Sequence, residues 1–234
     1  MNGLSCAGMS LICIPIREIS LLALKKKLKA GEKHADVIEI WADQLPPETD
    51  PAEVVSLATK PLLIVNKGAA EKGQWHGSEK ERLAVLKKYA AAGASYIDVA
   101  IDTDAELIQD MRSSFQEETD LILSYHNFEE TPPLPDLQKK MEKGIELNAD
   151  IIKVATYANT AEDNLTVLQL LAEANAREIP FIGICMGIRG KLSRVVAPAL
   201  GSYITYVALH KKEASAPGQL TLKEFKKISS LLNS

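Results

Sequence analysis

Cysteine is scarce in this chain and never closely spaced. Cys6, Cys13 and Cys185 form no Cys-x-x-Cys and leave an odd count of three, which argues against a disulfide framework or a zinc knuckle. They read as reduced thiols of a cytoplasmic protein. Positive charge is not in excess either. The 27 Lys and Arg stand against 31 Asp and Glu, a net charge of -4, so no nucleic acid or other polyanion is invited as a partner. No apolar run approaches the roughly 20 residues of a membrane span, and the opening MNGLSCAGMS shows no basic stretch leading into an apolar one. Met9 can serve as the natural start, which would leave residues 1–9 as a loose tail ahead of a domain over residues 10–234. No His-x-His or His-Glu-x-x-His is present, so a catalytic metal has no sequence support. No Gly-x-Gly-x-x-Gly follows the first apolar run, which weakens a dinucleotide-binding fold. The partner that fits these absences is a small molecule.

What the chain does contain is one unit repeated along its length: a short apolar, β-branched run followed by a helical pattern. The runs are Leu11 to Ile16, Val37 to Trp41, Leu62 to Asn66, Tyr96 to Ile101, Leu121 to Tyr125, Ile151 to Ala155, Phe181 to Cys185 and Tyr203 to Ala208. They are mostly continuous rather than alternating, as parallel strands buried on both faces are. Between them lie amphipathic stretches such as SEKERLAVLKKYAAAG, where Ser78 is placed to cap a helix that ends near Gly93. Eight strand–helix units in 234 residues predict a single α/β domain folded as a (β/α)₈ TIM barrel. No linker divides it. The most polar stretch, NFEETPPLPD, follows the fifth strand and is short enough for a loop of the barrel mouth, where such folds keep their chemistry.

Few strand ends carry reactive side chains. Lys153 lies in IIKVAT among apolar neighbours, where burial is expected to lower its pKa and free a nucleophilic amine. A lysine that snorkels to solvent or meets a carboxylate fits the same segment. His126 closes LILSYHNF one strand earlier, beside Lys153 if both point into the mouth. It is a proton shuttle there, or a hydrogen-bonded structural histidine. Glu71 in NKGAAEKG is able to orient that histidine, or to be solvated. Glu39 in VIEIWAD is a polar group among apolar ones and needs a partner, either a substrate hydroxyl or a structural cation. Arg194 in MGIRGKLSRVVAPALGS offers a fork to a carboxylate, or sits on a helix surface. Ser215 and Gln219 in ASAPGQL are neutral hydrogen-bonding groups in a loop suited to a lid or to any turn.

Together, IEIWAD, EKG, SYHNF, IIKVAT, MGIRGKLSR and SAPGQ resemble, in order and approximate spacing, the type I 3-dehydroquinate dehydratases. The most specific part is the pair SYHNF and IIKVAT, in which Lys153 follows His126 by 27 positions. The resemblance implies a Schiff base on Lys153, His126 as general acid and base, and Glu71 as its supporting carboxylate. It further implies substrate contacts from Glu39, Lys67, Arg194, Ser215 and Gln219, with Met186 packing in the site. Lys153 would attack the C3 ketone of 3-dehydroquinate, and His126 would take the C2 proton and hand one to the departing C1 hydroxyl. The product would be 3-dehydroshikimate, made in the shikimate pathway with neither metal nor organic cofactor. A homodimer is implied as well.

Three positions depart from the family pattern. Trp41 and Lys67 stand where the family has arginines, and its Asp-x-Glu reads Asp98, Val99, Ala100. The resemblance therefore implies intact imine chemistry in an altered, weaker substrate cradle. Two other readings use the same residues: a paralogue acting on another oxo acid, and a barrel that binds a metabolite without turnover. An amine beside a proton shuttle argues against the last.

Overall fold

The computed structural model describes residues 10–232. The expected tail over residues 1–9 lies outside the described residues. Eight parallel strands follow one another around a barrel: β1 (Leu11–Ile16), β2 (Val37–Trp41), β3 (Leu62–Val65), β4 (Tyr96–Ala100), β5 (Asp120–Asn127), β6 (Ile151–Tyr157), β7 (Phe181–Met186) and β8 (Ile204–Ala208). Helices α1 (Leu21–Gly31), α2 (Pro51–Ser56), α3 (Glu79–Ala91), α4 (Ala105–Arg112), α5 (Leu134–Glu146), α6 (Asp163–Ala176), α7 (Lys191–Ala199) and α8 (Leu222–Leu232) alternate with them. The predicted runs and the observed strands agree to within two residues at their ends. Among the described residues no helix is long and apolar enough to cross a membrane.

Local chemistry starts the helices where the side chains direct. Ser78 caps α3 in a reciprocal capping box with Glu81, and Gly93 takes a left-handed φ of 99° after its end. Asp50 caps α2, with Pro51 in its first turn, and Asp104 caps α4. Outward strand residues such as Ile38, Ile64 and Ile97 pack under the helices with Leu24, Leu28 and Leu86. Inward residues form a second core that includes Val37, Leu63, Tyr96, Ile122, Ile151 and Ile204. This inner core is the floor of the barrel. Because side chains alternate along a strand, the inward residue two positions further on is Glu39, Asp98, Ser124, Lys153 or Tyr206 on five of these six strands, and Val65 on β3. The barrel thus turns from apolar to polar within one pleat.

Neighbouring strands are joined by parallel ladders from β1 round to β7 and from β1 to β8. The junction of β7 with β8 differs from the expected regular barrel. Among the described residues its backbone link is a single hydrogen bond, from Tyr203 N to Phe181 O at 2.8 Å. At the mouth end β8 pairs instead with a short extra strand, β9 (Leu220–Thr221), through Val207 with Leu220 and Ala208 with Thr221. The loop before β9 is drawn into the seam, where Gly187 N donates to Pro217 O at 3.0 Å. Gly218 follows with φ 76°, and a Cβ there would lie 2.1 Å from Gly187 O. Glycine is required at that crossing. The seam is how residues 215–219 come to hang over the barrel mouth.

Candidate active site

A cavity of about 610 Å³, counted with its open mouth, lies at the carboxyl ends of the strands. All nine residues singled out in the sequence line it. Register explains the central pair. Lys153 of β6 sits beside Ser124 of β5, and His126 sits beside Ala155. His126 therefore shares the inward face with Lys153 but stands one pleat, about 7 Å, nearer the mouth.

Lys153 is 5% exposed. Its Nζ donates to Asp98 Oδ2 at 3.0 Å and stands 4.7 Å from the centre of the Tyr206 ring. The expectation of a lowered pKa is overturned here. Burial does lower it, but the carboxylates of Asp98 and Glu39 outweigh burial and hold the ammonium above the ordinary lysine value. The Lys153 amine is therefore held protonated at neutral pH.

His126 is 12% exposed and stacks on Phe128, ring centres 5.9 Å apart. Its Nδ1 lies 2.9 Å from Glu71 Oε1, although the angle leaves Nδ1 without a well-aligned hydrogen bond. Burial, seconded by the ammoniums of Lys67 and Lys153, pushes the imidazole below its usual pKa against the pull of Glu71. The ring is therefore neutral at neutral pH, the form that accepts a proton. Glu71 stays ionised: burial opposes this, but Lys67 and His126 hold its carboxyl well below the usual range.

Asp98 joins the two halves of the site. It is fully buried, accepting from Lys67 Nζ at 2.6 Å, Ser124 Oγ at 2.6 Å and Lys153 Nζ at 3.0 Å. Despite burial, Lys153 and Lys67 hold it far below the ordinary aspartate value. Sequence reasoning missed it as a site residue. The signal was available, since Asp98 lies between Ile97 and Val99 just as Glu39 lies between Ile38 and Ile40. Ser124 and Tyr206 were missed too, and a lone serine or tyrosine in an apolar strand announces nothing by itself.

The rest of the cradle is polar and incompletely paired. Glu39, 4% exposed, accepts from Trp41 Nε1 at 2.8 Å, and burial raises its carboxyl above the usual range with Lys153 opposing. The Trp41 ring carries the Arg17 guanidinium on its face at 4.0 Å, so a cation does stand near the vacancy the sequence left. Arg194 is 5% exposed and buried at the start of α7 rather than on a helix surface. Among the described residues its one side-chain hydrogen bond goes from Nη2 to Pro217 O at 3.4 Å and no carboxylate pairs with it, and burial lowers its pKa to about 10. Gln219 Oε1 is tied to Ser215 N at 2.7 Å, which leaves its amide nitrogen free. Met186, 2% exposed, closes the β7 side.

Six buried side-chain polar atoms lack a hydrogen-bond partner among the described residues. Four of them, on His126, Arg194, Tyr206 and Gln219, belong to this cavity. Buried polar atoms are nearly always satisfied, so their concentration here marks a site built around a polar ligand. A buried cation without an anion asks for an acidic one. An amine with a proton shuttle above it is suited to carbonyl chemistry.

Comparison with known proteins gives the same direction. The model of the Type I 3-dehydroquinase family matches residues 12–234. The chain is 42% identical to a 3-dehydroquinate dehydratase of Desulfotalea psychrophila over 83% of its own length and 86% of that protein. It is 34% identical to the one from Methanocaldococcus jannaschii, over 95% of this chain and 99% of the other. Its fold superimposes with a TM-score of 0.87 on the type I enzyme of Clostridium difficile, solved with covalently modified comenic acid, at 26% identity and with 96% and 93% of the two chains covered.

Proposed function

The chain belongs to the type I 3-dehydroquinase family, and from that premise we propose that it dehydrates 3-dehydroquinate to 3-dehydroshikimate through an imine on Lys153. As a member it is a carbon–oxygen lyase. The observation that carries the imine is Lys153 itself: a buried amine at the foot of the cavity, on the same inward face as a neutral imidazole one pleat above it.

Substrate carboxylate and ketone are assigned opposite ends of the site. Arg194, a buried cation with no anion of its own, takes the carboxylate, and Ser215 and Gln219 close over it from the seam loop. Glu39 faces the ring hydroxyls. The C3 ketone then lies against Lys153, whose extra proton passes to His126. The freed amine adds to C3, and His126 returns a proton to the carbinolamine oxygen, which leaves as water. The iminium so formed draws electrons from C2. His126 removes the C2 proton, the enamine expels the C1 hydroxyl, and the same proton completes that leaving water. Addition of water to the conjugated iminium releases 3-dehydroshikimate and restores the amine.

The raised basicity of Lys153 fits this sequence. Nitrogen is cationic in the resting site and again in each iminium. Asp98 at 3.0 Å and the Tyr206 ring at 4.7 Å are fixed to receive that charge wherever it recurs. The cost is paid once, when the proton leaves Lys153. Support for a covalent route also comes from the Clostridium difficile relative and its covalently modified ligand. The buried, unpaired thiols of Cys13 and Cys185 support a reducing compartment, and we assign the protein to the cytoplasm as a homodimer.

Borohydride reduction during turnover of 3-dehydroquinate, followed by peptide mass spectrometry, tests the reading. Ligand mass on Lys153 is expected, with enone absorbance growing before the reductant is added. Mass on another lysine, or none with substrate present, overturns it.

A further inference from the structure

The family resemblance assigns Lys67 to the substrate, in the place of an arginine. Its surroundings assign it elsewhere. An ammonium has three N–H groups, and three protein oxygens stand within reach of this one: Asp98 Oδ1 at 2.6 Å, Glu71 Oε1 at 2.9 Å and Ser124 Oγ at 3.3 Å. The side chain is 3% exposed. Its backbone is fixed as well, with Lys67 N donating to Asp43 Oδ1 at 3.0 Å and Trp75 N donating to Lys67 O at 3.0 Å. A substrate anion would have to take a donor away from a buried carboxylate, whereas Arg194 has donors to spare.

Resting on the reading that Lys153 and His126 carry the dehydration, we propose that Lys67 is a positioning residue. It clamps Glu71 and Asp98 into one chain of alternating charge that runs from His126 to Lys153, and it leaves the substrate's carboxylate to Arg194. The chain is continuous: His126 Nδ1 to Glu71 at 2.9 Å, Glu71 to Lys67 at 2.9 Å, Lys67 to Asp98 at 2.6 Å, and Asp98 to Lys153 at 3.0 Å. With His126 neutral, two carboxylates and two ammoniums cancel. Moving a proton from Lys153 to His126 shifts charge from one end to the other and leaves the total unchanged. Lys67 in the middle keeps both carboxylates ionised, so neither captures the proton in transit. Without it, Glu71 and Asp98 share one ammonium.

The charged groups around the pair are contributed by every neighbouring element. His126 faces Glu71 from the loop after β3, Lys67 from the end of β3, Lys153 from β6 and, further off, Asp98 from β4. Lys67 faces Asp98, Glu71 and Lys153, with the Glu39 carboxyl of β2 beyond. Removing the Lys67 cation therefore removes a repulsion on His126, and the imidazole titrates higher.

The test uses full-length Lys67→Met and Lys67→Arg. In ligand-free protein, NMR follows the His126 ring through its titration, with the signal assigned by its loss in His126→Asn. Lys67→Met is expected to move that midpoint up by about one pH unit. It should lower kcat at neutral pH about ten- to a hundredfold, hold KM for 3-dehydroquinate within about threefold, and move the acid limb of the rate profile up with the midpoint. Lys67→Arg keeps the charge and should leave the midpoint in place. A Lys67→Met protein whose KM rises tenfold or more while kcat, acid limb and His126 midpoint stay put overturns the proposal. So does a displaced midpoint in Lys67→Arg, which decides the matter should Lys67→Met not fold. If the wild type fails to turn over 3-dehydroquinate, the dehydratase reading falls alone, because an unmoved midpoint in ligand-free Lys67→Met still overturns the role given to Lys67.

Discussion

Replacing Asp98 by asparagine is the sharpest test of how the site is held together, because one neutralised atom pair breaks two buried ion pairs. Asp98 Oδ1 lies 2.6 Å from Lys67 Nζ and Oδ2 lies 3.0 Å from Lys153 Nζ, with the carboxylate fully buried. At an effective dielectric of ~20 each attraction is worth roughly 5–6 kcal/mol, and taking the ions out of water consumes several kcal/mol per ion. What matters for Asp98→Asn is the state left behind. Two buried ammoniums would face each other across an amide, and removing one partner of a buried pair costs about 3–5 kcal/mol. For a domain of this size that is a fall in Tm of roughly 6–20 °C. Urea unfolding should show a lower midpoint with an unchanged slope. The pH dependence has a definite sign. Asp98 is held below its ordinary value, so its contribution is present above the unfolded aspartate pKa of about 3.9 and is lost as pH falls through the folded one. Lys67 and Lys153 are held above theirs, so their contribution is complete below about 10.4 and is lost as pH rises through the folded values. The gap between wild type and Asp98→Asn should thus be level from about pH 4.5 to 9.5 and narrow outside that window. A loss under about 1 kcal/mol at pH 7, or a gap that vanishes by pH 6, would refute the charge assignment argued from these distances.

Further outcomes separate the remaining roles. His126→Ala should lower kcat by about two to four orders of magnitude. In the wild type the acid limb of kcat/KM should fall below the ordinary histidine value of about 6.5, since burial depresses His126 and its neutral form is the base; a limb above that value contradicts the assignment. Arg194→Met should raise KM for 3-dehydroquinate about ten- to a hundredfold, the worth of a lost charge-assisted hydrogen bond of roughly 1.5–3 kcal/mol. The same variant should be as stable as the wild type or more so, because an unpaired buried cation gives way to an apolar side chain of similar length. Unchanged KM with a large loss of stability would make Arg194 structural.

Much of this molecule was legible along the chain. Eight apolar β-branched runs determine where strands can form, because continuous hydrophobic segments of five or so residues are stable only when buried on both faces. The capping box at Ser78 and the glycine after α3 act within a turn, and they form where the residues dictate. Lys153 and His126 were visible as titratable groups on apolar strands and Glu71 as one in the loop after β3, and alternation along neighbouring parallel strands suffices to bring the first two onto one face.

Charge was not legible in that way. The apolar neighbours of Lys153 are local and argue for a lowered pKa, but the carboxylate that reverses the sign arrives from β4, 55 residues away. Coulomb energy depends on distance in space, and only closure of the barrel sets that distance. The same holds for Lys67, whose sequence position resembles that of a ligand-binding arginine. Three acceptors from the β3 loop, β4 and β5 take all of its donors once the strands are in register. The seam between β7 and β8, filled by β9 and the Gly218 crossing, is likewise a product of closure, since strands that complete a ring have no freedom left to correct their register. Which side chains gather at the barrel mouth was largely written in the chain. Their protonation, their partners and the loop that covers them were decided by the fold.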